Sequence, residues 1–250
     1  MDNDLKLMQH ISKRYNQELE DLRTSVLEMG GLVEQQLKNG VKALRKTNIE
    51  LAQSVITSDY EINAKEVEID ERCTQILARR QPAASDLRLV MAIIKTITDL
   101  ERIGDEAEAL GRYAMQLADR QSKSSDFVEI KHLGKHVRNM LSNALDAFAR
   151  LDVEAALVTI ASDTEVDEEF DSINRQLITK MMEDPREIKN ALRVSWAARS
   201  LERIGDHAMN ICEYVVYLVK GKDVRHTSLD VVIEEMTSKS SEEDQEAVRE

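Results

Sequence analysis

Glu101 and Asp105 stand four residues apart, and so do Glu202 and Asp206. On a helix, positions i and i+4 point the same way, so each pair sets two carboxylates on one face. Upstream of each pair the spacing recurs as Asp59/Asn63 and Asp163/Asp167. Like charges one turn apart cost roughly a few tenths of a kcal/mol. Oxygen donors without thiol or imidazole suit hard cations, namely Mg²⁺, Mn²⁺, Ca²⁺ or oxidised iron, and bridging carboxylates could gather several ions. The same residues also suit a charged helix margin, with Arg102 and Arg203 as neutralising neighbours. Asn63 weakens the first set, because an amide oxygen carries no charge.

For these pairs to meet, a turn must fold one helix back on the next. The chain has only two prolines, Pro82 and Pro185, and each lies midway between two of the pairs. Asp59 and Asp105 are each 23 residues from Pro82, and Asn63 and Glu101 are each 19. In the second half, the midpoint of Asp163 and Asp206 falls between Asp184 and Pro185, as does that of Asp167 and Glu202. Two helical hairpins bent at the prolines therefore bring their pairs to one height, about 30–35 Å from the turn at 1.5 Å per residue.

The rest of the chain supports such helices. With 8 glycines and 2 prolines in 250 residues, it has too few breakers for the frequent turns of a sheet protein. Hydrophobic residues make up 42%, enough for a core and against wholesale disorder. Caps and polar clusters divide the chain into helical stretches at about 5–46, 49–80, 83–121, 127–151, 153–183 and 186–220, with Asn48 as an N-cap and Gly221 as a C-cap. Core stripes at helical period run through Val90, Ile93, Ile94, Ile97, Leu100, Gly104 and Ala107, and through Leu192, Trp196, Leu201, Ile204, Ala208, Ile211 and Val215. A glycine inside a helix costs roughly 1 kcal/mol against alanine. Gly104 and Gly205 therefore imply close approach of a packed helix, with room for an ion cluster as the second reason.

The halves are copies. Leu100-Glu101-Arg102-Ile103-Gly104-Asp105 recurs unchanged as Leu201-Glu202-Arg203-Ile204-Gly205-Asp206, 101 positions on, and the prolines match at an offset of 103. The expected fold is all-α, two tandem antiparallel three-helix bundles related by internal duplication. The first occupies 1–122, the second 123–226, and 227–250 is a polar tail that should fray.

A net charge of −13, from 34 basic and 47 acidic residues, excludes nucleic acid and anionic lipid as partners in the absence of a basic patch. Cys73 and Cys212 are lone thiols, expected to be buried and inert. The start has no signal-peptide pattern, and no apolar run approaches the ~20 residues that span a bilayer, so a cytoplasmic protein is expected. No HExxH, GxxxxGK[ST], GxGxxG or GxSxG motif is present. Glu129, His132 and His136 contain a single ExxH, where a di-iron bundle needs two, and are read as a surface coincidence.

Taken together, the doubled LERIGD motif, Met29-Gly30-Gly31-Leu32-Val33-Glu34, the run from Arg79 to Val90, and Ala144 to Arg150 resemble the PhoU family of phosphate-uptake regulators, over roughly residues 5–226. The resemblance implies a non-enzymatic, cytoplasmic, commonly homodimeric accessory protein of the high-affinity phosphate ABC transporter. It implies a negative regulator of the phosphate-starvation response that links the transporter's ATPase subunit (PstB-like) to a sensor histidine kinase (PhoR-like). Association with the membrane would be peripheral, through these partners. It also implies metal ions (Mg, Mn, Fe or Zn) at Asp59, Asn63, Glu101 and Asp105, and at Asp163, Asp167, Glu202 and Asp206. The rival readings are a metal-dependent phosphohydrolase or metal store, and a pure scaffold.

Overall fold

The computed structural model describes residues 13–118 and 128–225. The expected tail and the linker near 121–126 lie outside them. The described residues form α1 (Lys13–Lys46), α2 (Ile49–Arg80), α3 (Ala84–Ala118), α4 (Val128–Arg150), α5 (Val153–Ala161), α6 (Asp163–Glu183) and α7 (Ile188–Lys220), with a 3₁₀ turn at Pro185–Glu187. The fold is all-α, as expected, and the stops are the expected ones. Asn48 accepts from the Leu51 amide at 2.7 Å, and its counterpart Asp152 accepts from Ala155 at 3.0 Å. At Gly221, φ is 69°, and its amide donates to Tyr217 O at 2.8 Å.

One stretch departs from expectation. Residues 153–183 are two helices, broken at Ser162. The Ser162 hydroxyl donates to Thr159 O at 2.7 Å, and its amide is shared between Val158 O and Thr159 O. Such local bonds satisfy the backbone where the ladder is interrupted, and the same bond within an unbroken α2, Ser58 Oγ to Val55 O at 3.2 Å, shows that they permit a break without forcing one.

α1, α2 and α3 pack as one bundle, and α4 to α7 as the other. The two meet along antiparallel seams. Arg193 reaches Gln116 O and Arg203 reaches Glu106, both at 2.6 Å, while Gly221 lies beside Arg88. These contacts run α7 backwards along α3. Arg23 donating to Ala149 O at 3.0 Å, with Val41 against Gly134, does the same for α1 and α4. One continuous core results, including Leu22, Met29, Leu37, Ile93, Leu100, Phe148, Leu201 and Ile211. Both cysteines are buried within it, and burial pushes each thiol up to about 12.

Two residues of the predicted core stripe are exposed instead: Leu192 (39%) and Trp196 (49%). Ala191, Val194, Ala197 and Ala198 form the covered side of that part of α7, which leaves Leu192 and Trp196 on the adjoining open sector. The Trp196 ring stands 6.2 Å from Tyr113.

Close approach explains most of the helical glycines, though not Gly31, whose Cβ would meet open space. A Cβ on Gly111 would stand 3.0 Å from Ala52 O, 3.2 Å from Ile56 and 3.3 Å from Val55. Gly111→Val should therefore destabilise the protein by about 1–3 kcal/mol, overpacking outweighing the helix propensity gained. A urea denaturation midpoint equal to that of the wild type would contradict this account.

Candidate cation centres

Each hairpin brings the first acid of its upstream pair, Asp59 or Asp163, beside the glycine of the repeated motif. In the first bundle a Cβ on Gly104 would lie 3.3 Å from Asp59 Oδ1 and 3.3 Å from Ile62. In the second, a Cβ on Gly205 would lie 3.5 Å from Asp163 Oδ1. Gly104 thus lets the preceding helix bring Asp59 against α3, while at Gly205 the tight neighbour is Val166 at 3.3 Å and Asp163 stands at ordinary contact distance.

In the first centre Asp59 is already satisfied. Its Oδ1 accepts from Gln36 at 3.0 Å, and its Oδ2 accepts from Asn63 at 3.0 Å. Asn63 presents its NH₂ rather than its oxygen. Glu101 is raised above the usual carboxylate range by burial first and by Asp105 next, with Arg102 at 3.4 Å from both acids in opposition. Two acids not anticipated join them. Glu66 and Glu108 are both raised chiefly by burial, and each feels Asp105. Helical geometry could have found them: Glu66 lies seven residues after Asp59, and Glu108 seven after Glu101, two turns along the same faces.

The second centre is more strained. Glu202 is 7% exposed, and its carboxyl is pushed up to about 7 by burial and by the charge of Asp206. Asp163 is pushed up to about 6 by burial and then by Asp206 and Asp167. Asp206 is raised by burial and by Asp167. Arg199 holds Glu202 Oε1 at 2.6 Å, but Glu202 Oε2 and Asp163 Oδ1 are buried with no hydrogen-bond partner. Buried anionic oxygens without donors are costly, and a cation is the natural partner for them. Among the described residues no three His, Cys, Asp or Glu side chains stand ready to hold a metal ion, so a coordination shell requires side-chain rotation. The donor chemistry fits a hard cation, and the second centre fits it better than the first.

The histidines lie elsewhere. His132 is exposed, and His136 sits between Glu169 at 3.3 Å and Glu165 at 3.7 Å.

Comparison with known proteins agrees with this duplicated layout. The family model described as PhoU domain matches twice, at residues 26–114 and 130–215. The chain is 53% identical over 229 residues to the phosphate-specific transport system accessory protein PhoU homolog of Pseudomonas putida, covering 92% of this chain and 90% of that one. It is 47% identical over 238 residues to the phosphate-specific transport system accessory protein PhoU of Escherichia coli K12, covering 95% and 98%. The crystal structure of PhoU from Pseudomonas aeruginosa superposes with a TM-score of 0.81 at 52% identity, over 83% of this chain and all of that one. The crystal structure of the phosphate transport system regulatory protein PhoU from Streptococcus pneumoniae gives a TM-score of 0.77 at 30% identity, covering 84% and 99%.

Proposed function

The chain belongs to the PhoU family, and on that premise we propose that it is the accessory protein of a phosphate-specific ABC transporter and a negative regulator of the phosphate-starvation response. The observation that carries this reading is identity of about one half, over nine-tenths of both chains, to proteins named as such accessories. In this reading the protein works by binding, in the cytoplasm and as a homodimer. It connects the transporter's ATPase subunit to a sensor histidine kinase and, when phosphate is plentiful, holds that kinase in its inactive or phosphatase state. Long helical faces support a bridging role. So do the exposed apolar side chains along both arms of the second hairpin, Ile178 and Met182 on α6 and Ile188, Leu192 and Trp196 at four-residue spacing on α7, since exposed apolar surface marks protein interaction sites.

Metal ions belong to the same proposal. Asp163, Asp167, Glu202 and Asp206 would hold one charge centre, and Asp59, Asn63, Glu101 and Asp105, with Glu66 and Glu108 nearby, the other. A cation there supplies neutralisation of clustered negative charge. The protein's own residues do the rest: Gly104 and Gly205 admit the neighbouring helix, and Arg199 and Arg102 orient the glutamates.

Deletion of the gene tests the regulatory role. A starvation-promoter reporter in phosphate-rich medium should switch on in the deletion strain and fall silent again on complementation. A reporter that stays silent after deletion would overturn the proposal.

A further inference from the structure

The cavity at the first hairpin tip has a chemistry the acidic centres lack. It measures about 360 Å³ and is lined by Arg14, Arg72, Arg79 and Arg80, against only Glu18 and Asp21 as acids. The lining follows from helical register. Arg14, Glu18 and Asp21 repeat at i, i+4 and i+7 on α1, and Arg72 and Arg79 lie seven apart on the facing side of α2. Two of the guanidiniums are held in place. Arg80 makes a fork of 2.6 and 2.9 Å with Glu18 and lies 5.9 Å over the Tyr15 ring, and Arg72 donates to Ser25 Oγ at 2.6 Å. Arg14 contacts Glu18 loosely at 3.4 Å and is 84% exposed, and Arg79 is exposed beside it.

Basic residues in a last turn also offset the helix dipole, which accounts for Arg79 and Arg80. It does not account for Arg72, two turns back, or for Arg14 on another helix. The second repeat is an internal control. At the offset set by the prolines, Arg79 and Arg80 correspond to Met182 and Glu183, so the hairpin as such does not require this cluster. In a chain of net charge −13 the overall field repels anions, and only a local concentration of guanidiniums can reverse it.

We propose that this cavity binds a small molecule carrying two or more adjacent phosphoryl groups, such as an inorganic oligophosphate or the phosphate chain of a nucleotide. Guanidinium forks match phosphate oxygens two at a time. The volume falls in the range of small-molecule sites, about 300–1,000 Å³, and exceeds what one orthophosphate fills. Arg72 and Arg80 are pre-positioned by Ser25 and Glu18, Arg80 with its Nη1 not engaged by Glu18, and the exposed Arg14 and Arg79 close over the ligand. This site is independent of the cation centres, which lie farther from the hairpin turn.

Isothermal titration calorimetry on the full chain, in chelator-containing buffer to remove divalent metals, tests the proposal. The probes are tripolyphosphate, ATP, orthophosphate and hexaglutamate. Tripolyphosphate, ATP or both should bind at one site per chain, more weakly at higher salt, and orthophosphate much more weakly. Binding of tripolyphosphate assigns the site to the phosphate chain alone, and binding of ATP only assigns it to nucleotides. Arg14→Glu/Arg79→Glu should weaken binding by at least about tenfold, the loss of a charge-assisted fork. Arg14→Gln/Arg79→Gln, which adds no new repulsion, should weaken it by less. The control Lys131→Glu/Lys189→Glu makes the same charge change at exposed sites elsewhere and should leave affinity nearly unchanged. The proposal is overturned if neither oligophosphate binds, if orthophosphate or hexaglutamate binds as tightly, or if both charge-reversed proteins lose affinity equally.

Discussion

Glu202→Gln should raise the melting temperature of the metal-free protein at pH 8 while removing its response to added Mn²⁺. Burial and the charge of Asp206 raise the Glu202 carboxyl to about 7 in the folded protein, against 4.5 in the unfolded chain. A carboxyl raised on folding contributes stability that is fully present below about pH 4.5 and is lost as pH climbs through 7. At pH 8 the folded protein therefore carries an ionised, 7%-exposed glutamate beside Asp206. Glutamine keeps an oxygen for Arg199 and removes the charge. Each tenfold change in proton affinity is worth about 1.4 kcal/mol, and the penalty is shared among neighbouring acids, so the gain is on the order of 2 kcal/mol. That is roughly 4–8 °C for a chain of this size. At pH 4 the variant and wild type should melt together, because Glu202 is then already protonated. Mn²⁺ should raise the wild-type melting temperature increasingly from pH 5 to 8, as protons cease to compete for Asp163 and Glu202. At a concentration of about 100 times Kd the gain is about 2.7 kcal/mol. A variant less stable than wild type at pH 8 without metal, or stabilised by Mn²⁺ as much as wild type, would refute the assignment of the second centre.

Asp99→Ala should cost more than any surface substitution, about 3 kcal/mol, and should uncouple the two bundles. Asp99 is 7% exposed on α3, and its partners come from α7. His207 Nδ1 lies 2.7 Å from its Oδ1, Asn210 donates to the same oxygen at 3.1 Å, and the Tyr214 hydroxyl donates to the carboxylate. Alanine strands the buried Tyr214 hydroxyl, at a cost of about 1–3 kcal/mol, and takes the acceptor from the half-buried His207 and Asn210, which water partly relieves. Asp99→Asn retains an acceptor and should lose about half as much. Trp196 is the sole tryptophan and lies on α7 against Tyr113 of α3, so its fluorescence follows the second bundle and its seam with the first, while circular dichroism follows all the helices. Wild type should show coincident urea transitions. Asp99→Ala should separate them, because coincidence of probes is the mark of two-state unfolding. Coincident transitions with an unchanged midpoint would show that Asp99 does not join the bundles.

How much of the molecule is legible in its sequence depends on what kind of interaction decides each feature. The prolines, the caps at Asn48 and Gly221 and the repeated acidic motif are local signals, and the hairpin arithmetic needs only the rise of a helix. The break at Ser162 is not legible, because the same dipeptide, Ser58-Asp59, occurs at the matching place in α2 and stays helical. There the Ser58 hydroxyl bonds Val55 O at 3.2 Å, as Ser162 bonds Thr159 O, so surrounding packing rather than the dipeptide selects the break. The exposure of Leu192 and Trp196 is hidden for a related reason. A 3–4 spacing marks an apolar helix sector but not how much of that sector the neighbouring helices cover. Glu66 and Glu108 lie beyond the four-residue pairs, on the same faces two turns farther along, where only the burial supplied by packing sets them apart from ordinary surface acids.

The antiparallel seam between α3 and α7 has a consequence for what the chain can recognise in copies of itself. A repeat meeting an identical repeat across such a seam would need residues complementary to themselves. Here the matching positions have diverged: Asp99 corresponds to Ser200, and Glu106 to His207. Asp99 finds His207 only when a first repeat faces a second, whereas the arginine is kept in both repeats, so that Arg102 would meet Glu106 in a pair of first repeats as Arg203 does here. Two second repeats would set His207 against Ser200 and Arg203 against His207, and two first repeats would leave Asp99 facing Glu106. Each chain thus closes its own seam and discourages exchange of halves with another, so that self-association is left to its outer surfaces.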